Sequence, residues 1–204
     1  MNRTHAQCLK RYLPALLLSL LCLAAATHRA DAAAPGRRLD VGKLVEAHTI
    51  TCWHDGEMLD DLVLNARGKL TFLYIDAKLA LAIQKSQTAG PEESPIDTVP
   101  PQLLQYSGMH GKRKGQAFFA LLVDAWKPWT FDTGQITVGG YRLSEKDVYV
   151  DRGRGPQEGI VPGTNELGSD FVDYIGLYVP REHVKPGTTI QVGYGRDTVE
   201  WIVP

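Results

Sequence analysis

The chain has 204 residues, of which 44% are hydrophobic and 22% charged, and its 22 basic against 23 acidic side chains leave a net charge of −1. So even a balance carries no electrostatic footprint for nucleic acid, which requires a basic stripe or patch. Three cysteines are too few for a disulfide-stapled scaffold, so the fold must rest on a packed core.

The N-terminus has the pattern of a secretory signal peptide. Arg3, Lys10 and Arg11 form a basic start, Leu13 to Ala26 an apolar core, and Ala30-Asp31-Ala32 a small-x-small cleavage site. The apolar run falls short of the roughly 20 residues that span a bilayer. We therefore expect residues 1–32 to be removed, no transmembrane anchor after cleavage, and a periplasmic or extracellular location. Cleavage takes Cys8, Cys22, four basic residues and one acidic residue, leaving 18 basic against 22 acidic and a net charge of −4. Cys52 then stands as a lone thiol, which outside the cytoplasm is buried, metal-bound or reactive. Residues 33–40 are small, polar and basic and read as a flexible lead-in; 41–204 read as a single domain.

Leu44 to Trp53 and Leu59 to Leu64 read as strands, with Asn65-Ala66-Arg67-Gly68 as the turn into a third, Leu70 to Ile75. Ala77 to Lys85 fits a strand or a short helix equally. Ser86 to Gly115 is a long connection with four prolines. Ala117 to Val123 is continuously apolar and predicts a central strand buried on both faces. Gly139-Gly140 is a two-residue hairpin turn that sets Val138 against Tyr141 and Thr137 against Arg142. A second long connection, Asp151 to Asp170, holds five glycines and two prolines. Phe171 to Val179 is a strand with Ile175 and Leu177 on one face and Tyr174 and Tyr178 on the other. Pro180 to Gly187 carries the chain between sheets, and Gly195-Arg196 closes a hairpin pairing Val192 with Val199 and Ile190 with Trp201. Eight or nine short strands with at most one short helix and two long loops predict an all-β antiparallel sandwich, for which an immunoglobulin-like arrangement is the preferred form.

Ligand-type residues are densest at His48, Cys52, His54 and Met58. On one strand the first three share a face, and thiolate, imidazole and thioether are the soft set for copper(I), the first two suiting zinc as well. The competing reading makes Cys52 a buried small hydrophobe. Asp151, Glu158, Glu166, Asp170 and Asp173 place oxygen ligands in a glycine-rich stretch that calcium would accept, although solvated carboxylates explain them too. His110, Lys112, Arg113 and Lys114 form a basic knot suited to an acidic partner or anionic glycan, or to keeping a strand end soluble. Trp126 and Trp129 would stack on a sugar ring or anchor a partner if exposed, and cap the core if not. No Gly-x-Ser-x-Gly is present. The expectation is an exported, non-catalytic module that binds another envelope component, protein or glycan, through its long loops; a copper or zinc carrier centred on Cys52 and His54 is the alternative, and a hydrolase the third reading.

Overall fold

The apolar run at 117–123 becomes the middle of the molecule. The computed structural model describes residues 41–60, 62–88, 105–151 and 159–204; the expected signal peptide, the lead-in 33–40 and Glu158 lie outside the described residues. Among the described residues the strands are β1 Thr49–His54, β2 Glu57–Leu59, β3 Leu62–Leu64, β4 Gly68–Ile75, β5 Gln116–Ala125, β6 Trp129–Asp132 and β7 Ile136–Val138. They continue with β8 Tyr141–Arg142, β9 Val148–Tyr149, β10 Thr164–Leu167, β11 Phe171–Pro180, β12 Thr189–Tyr194 and β13 Asp197–Ile202. Two α-helices accompany them, α1 Val41–His48 and α2 Ala77–Thr88.

A five-stranded sheet, ordered β1-β4-β5-β11-β9 and antiparallel throughout, packs against a four-stranded sheet β13-β12-β7-β8 and the pair β10-β6. Between these layers lie Ile50, Phe72, Phe119, Leu121, Val123, Ile175 and Leu177 from one side and Phe131, Ile136, Val138, Val192 and Trp201 from the other. Phe118, Ala120 and Leu122 of β5 point the opposite way, into a second core roofed by Leu44 and Val45 of α1 and Leu79 and Ile83 of α2. Alternate side chains of one strand thus serve two cores, which is why β5 carries no polar face. The antiparallel sandwich is the architecture expected; its strand order does not single out the immunoglobulin-like variant.

Both hairpin registers hold. Val138 faces Tyr141 and Thr137 faces Arg142, with Gly139 and Gly140 at φ +56° and +78°, while Val192 faces Val199 and Ile190 faces Trp201. The 180–187 connection does pass from the first sheet to the second.

Two local expectations are corrected and one open choice is resolved. Residues 44–53 are not one strand: Val41, Leu44, Val45 and His48 repeat at i, i+3, i+4 and i+7, the helical period, and only the β-branched run from Thr49 onward is extended. Residues 59–64 are not one strand but parts of a β2–β3 hairpin, reversed beside Asp60 at φ +52°. The ambiguous 77–85 segment is helical, started by Asp76, whose Oδ1 accepts the Leu79 N–H at 2.7 Å; with α1 the described residues hold two helices, not one. No helix among them is long and apolar enough to cross a membrane. Tyr106, within the first long connection, packs edge-on against Tyr149, which precedes the second.

Candidate ligand-binding cleft

Several strand ends converge beyond the far end of β5. The Arg67 amide donates to the His54 carbonyl at 2.9 Å, and the Arg67 carbonyl accepts from the amides of Trp126 and Lys127, so the β3–β4 turn ties β1 to the end of β5. Gly195, at φ +58° in the β12–β13 turn, donates to the Gln135 carbonyl. These ties leave an open cleft of about 410 Å³ lined by His54, Arg67, Pro128, Trp129, Thr130, Gln135, Glu166 and Tyr194. That size is within the usual range for small-molecule sites.

One wall is aromatic. The His54 ring stacks on Trp129 with centroids 4.3 Å apart and meets Tyr194 edge-on at 5.0 Å, while Trp129 and Tyr194 meet near perpendicular. The Tyr194 hydroxyl accepts the Asp132 N–H at 2.9 Å, which fixes that ring. The other wall is polar: Thr130 Oγ1 donates to Glu166 Oε2 at 3.0 Å, and Arg67 donates from Nη1 to the Pro128 carbonyl and from Nε to Asp55 at 3.2 Å.

His54 is held from behind. Its Nδ1 lies 2.8 Å from Asp197 Oδ2, which also accepts the Asp55 N–H at 3.2 Å. A carboxylate only accepts, so Nδ1 carries the proton. Asp55 Oδ2 sits 3.7 Å from His54 Nε2, and Arg67 and Arg196 flank the same carboxyl. Burial pushes the Asp55 carboxyl up, but the Arg67 hydrogen bond and the charges of His54, Arg67 and Arg196 outweigh it and hold it below the usual range.

An orienting carboxylate behind a histidine is part of a catalytic arrangement, but Cys52 is not placed to complete it as the nucleophile. Cys52 is 1% exposed, its thiol donates to the Asp197 carbonyl, and burial pushes it up to about 11. The reactive, ligating form is the thiolate, which such burial suppresses.

The proposed soft-metal set is dispersed. His48 belongs to α1 rather than to the strand, buried, with Nδ1 2.7 Å from the Leu44 carbonyl and Nε2 3.3 Å from Asp76 Oδ2 though poorly aligned with it. Met58 is exposed on the hairpin. Only Cys52 and His54 come together, both through Asp197. Among the described residues the ligand atoms that do cluster are those of His54, Asp55 and Asp197, within 4.8 Å of one another; two guanidinium groups already occupy the Asp55 side.

The carboxylates proposed for calcium are likewise separate. Glu166 lines the cleft, Asp170 turns the chain into β11 at φ +60°, Asp173 is buried and accepts the Ile160 N–H at 2.6 Å, and Asp151 borders the undescribed segment. In the basic knot, His110 Nδ1 meets the Ile75 carbonyl at 3.0 Å and Arg113 lies over the Tyr178 ring at 4.0 Å, with Lys112 and Lys114 exposed. That knot sits at the opposite end of β5 from the cleft, about 30 Å away at strand rise. Trp126 is exposed, but Trp129 is 4% exposed and contributes a wall rather than an outward anchor.

Arg67, Gln135, Tyr194 and Asp197 were not foreseen. The hairpin register places Tyr194 and Asp197 on either side of Gly195-Arg196 and was the one available signal. Comparison with protein-family models, with curated proteins and with solved structures finds no match for this chain.

Proposed function

We propose that the protein is an exported, non-catalytic binding module whose ligand is an envelope glycan, held at the end of the sandwich. The observation that carries this reading is the gathering, in one cleft, of the planar polar side chains of Arg67, Gln135 and Glu166 around the partly exposed His54 ring, which Trp129 and Tyr194 back from the core. The C–H groups of a sugar pack on the accessible part of an aromatic or imidazole ring, while its hydroxyls accept hydrogen bonds from guanidinium and amide N–H groups and donate to carboxylate and amide oxygens. Glu166 lies on β10, a strand within the 151–170 stretch that the sequence reads as one long loop, and is held there by pairing with β6. The basic leader and apolar core at the N-terminus support export.

Titration of the purified protein with a panel of cell-envelope mono- and disaccharides, read by tryptophan fluorescence and calorimetry, tests it. Binding should weaken at least about tenfold in Glu166→Ala and in Gln135→Ala, each removing a polar partner of the sugar. No binding across the panel, or binding indifferent to both substitutions, rejects the reading. Mass spectrometry of the exported chain should find an N-terminus near Ala33.

A further inference from the structure

The turn leading into β5 gathers cations at the end of the molecule that the cleft does not use. Gly111 and Gly115, both at φ +74°, reverse the chain on either side of Lys112-Arg113-Lys114, and all three side chains are exposed. Arg181, also exposed, joins them where β11 ends, because its amide donates to the Gly115 carbonyl at 3.0 Å. Both guanidinium groups are held in place. Arg113 lies over the Tyr178 ring at 4.0 Å and donates from Nη1 to the Lys146 carbonyl at 2.8 Å, while Arg181 donates from Nε to the Gln116 carbonyl at 3.3 Å. A guanidinium has five N–H donors, so each fork keeps most of its donors for a ligand. A fork already fixed by the backbone loses less freedom on meeting a phosphate, whose oxygens it matches in pairs.

The carboxylates around this turn are engaged elsewhere. Asp76 caps α2 and faces His48, and Asp147 accepts from the Ser144 amide and the Tyr141 hydroxyl. Glu145 Oε1 is turned towards Gly163, where a Cβ would meet it at 3.4 Å. The charge of Glu182 reaches the Tyr141 hydroxyl, on which the Asp147 hydrogen bond and burial act more strongly. α2 and β4, which pack against the turn Gln105–Met109 just before this segment, carry no carboxylate. Among the described residues Lys112, Arg113, Lys114 and Arg181 therefore have no ion-pair partner.

Their placement says which anion they suit. Tyr178 belongs to the second core and Tyr74 packs on the first, on opposite faces of the five-stranded sheet. Arg113 sits on Tyr178, whereas Arg181 lies near enough to Tyr74 to oppose the rise that burial and the Asp76 charge impose on its hydroxyl. The cations thus come over the sheet end from both faces. A linear polyanion laid along one face would meet part of the set, while a charged plane across the strand ends meets all of it. Neither the 110–115 turn nor Arg181–His183 carries a large exposed hydrophobic residue, so the attraction is electrostatic, with no wedge in the hydrocarbon. We propose that this end of the sandwich docks on an anionic lipid surface, Lys112, Arg113, Lys114 and Arg181 meeting the phosphate headgroups, and that the cleft is thereby held at the far end of β5, about 30 Å from the bilayer.

Co-sedimentation of the protein, as its cell processes it, with vesicles of phosphatidylcholine alone or mixed with phosphatidylglycerol tests this. Binding should require the anionic lipid and should fall at least about tenfold as salt rises from about 0.05 to about 0.5 M. Each cation near such a surface contributes about fivefold, so the double variant Lys112→Gln, Lys114→Gln should bind about 25-fold more weakly and Arg181→Gln about fivefold. The double variant Lys69→Gln, Lys127→Gln removes the same charge at the cleft end and should bind within about twofold of the wild type. Circular dichroism checks that each variant is folded. Absence of binding to the anionic vesicles overturns the proposal, as does an equal loss in the two double variants, which would make net charge the cause. Binding to soluble polyphosphate without binding to vesicles would assign the cations to a linear polyanion and overturn it too.

Discussion

Cys52 should be chemically silent in the folded protein, and its silence should have a measurable pH signature. The thiol is 1% exposed and burial pushes it up to about 11 from the 9.0 of an ordinary cysteine. At pH 9 about half of an unfolded cysteine is thiolate but only about one part in a hundred of the folded one, a difference of roughly fiftyfold before access is considered. Because the folded pKa is raised, the folded state holds its proton more tightly. This contribution to stability is complete below about pH 9 and is lost as pH rises towards 11. Two units amount to at most about 3 kcal/mol. Tyr74, Tyr141, Tyr178 and Tyr194 are also held above their ordinary value and slope the same way at higher pH, so the test must be a difference. Urea denaturation of the wild type and Cys52→Ala between pH 7 and 10.5 should show the wild type losing stability more steeply, its advantage over the variant shrinking above pH 9. Iodoacetamide should label the thiol only after denaturation. Rapid labelling of the native protein, or parallel pH profiles for the two proteins, would refute the assignment of Cys52 to the core.

Three further outcomes follow from the geometry. Asp197→Ala strips the acceptor from His54 Nδ1 and from the Asp55 N–H, and should cost about 2–4 kcal/mol in urea denaturation; a loss below about 0.5 kcal/mol would mean that water replaces the carboxylate. At Asp76, burial raises the carboxyl but the contact with His48 and the Leu79 N–H outweigh it, so its pKa is lowered. Its stabilisation is present above the ordinary 3.8 and disappears as pH falls through the lower folded value, so Asp76→Asn should flatten the acid limb of the stability profile while changing stability at pH 7 by about 1 kcal/mol or less. In the β7–β8 turn, a Cβ on Gly139 would lie 2.1 Å from the His183 carbonyl oxygen whereas one on Gly140 meets nothing within 4 Å. Gly139→Ala should therefore cost roughly 3 kcal/mol and Gly140→Ala only about 1 kcal/mol, the penalty of positive φ alone, in thermal or urea denaturation.

Legibility was uneven, for identifiable reasons. Two hairpins could be registered because paired residues flank a two-residue turn, so a one-residue slip would put apolar against polar on both faces. α1 was hidden because Val41, Leu44, Val45 and His48 run directly into Thr49-Ile50-Thr51, and a strand pattern read backwards from Cys52 absorbs them. That misreading also put His48 beside Cys52, where α1 does not place it. The β2–β3 hairpin was concealed by its exposed leucines, which look like a buried strand when only hydrophobicity is read.

The chain on its own determined the elements whose partners are near in sequence and the strand whose apolar run admits no exposed face, and with them the antiparallel sandwich. Which residues form the cleft was decided by tertiary structure alone. His54, Arg67, Trp129, Gln135, Glu166 and Tyr194 come from separate turns and strand ends, and Asp197 reaches His54 across 143 residues of chain. The pairing of those ends depends on how the two sheets stack and twist, a long-range property that no local spacing encodes. Burial acts in the same way on Cys52: its chemistry is set by the layers that close over it, and the residues beside it in sequence say little about them.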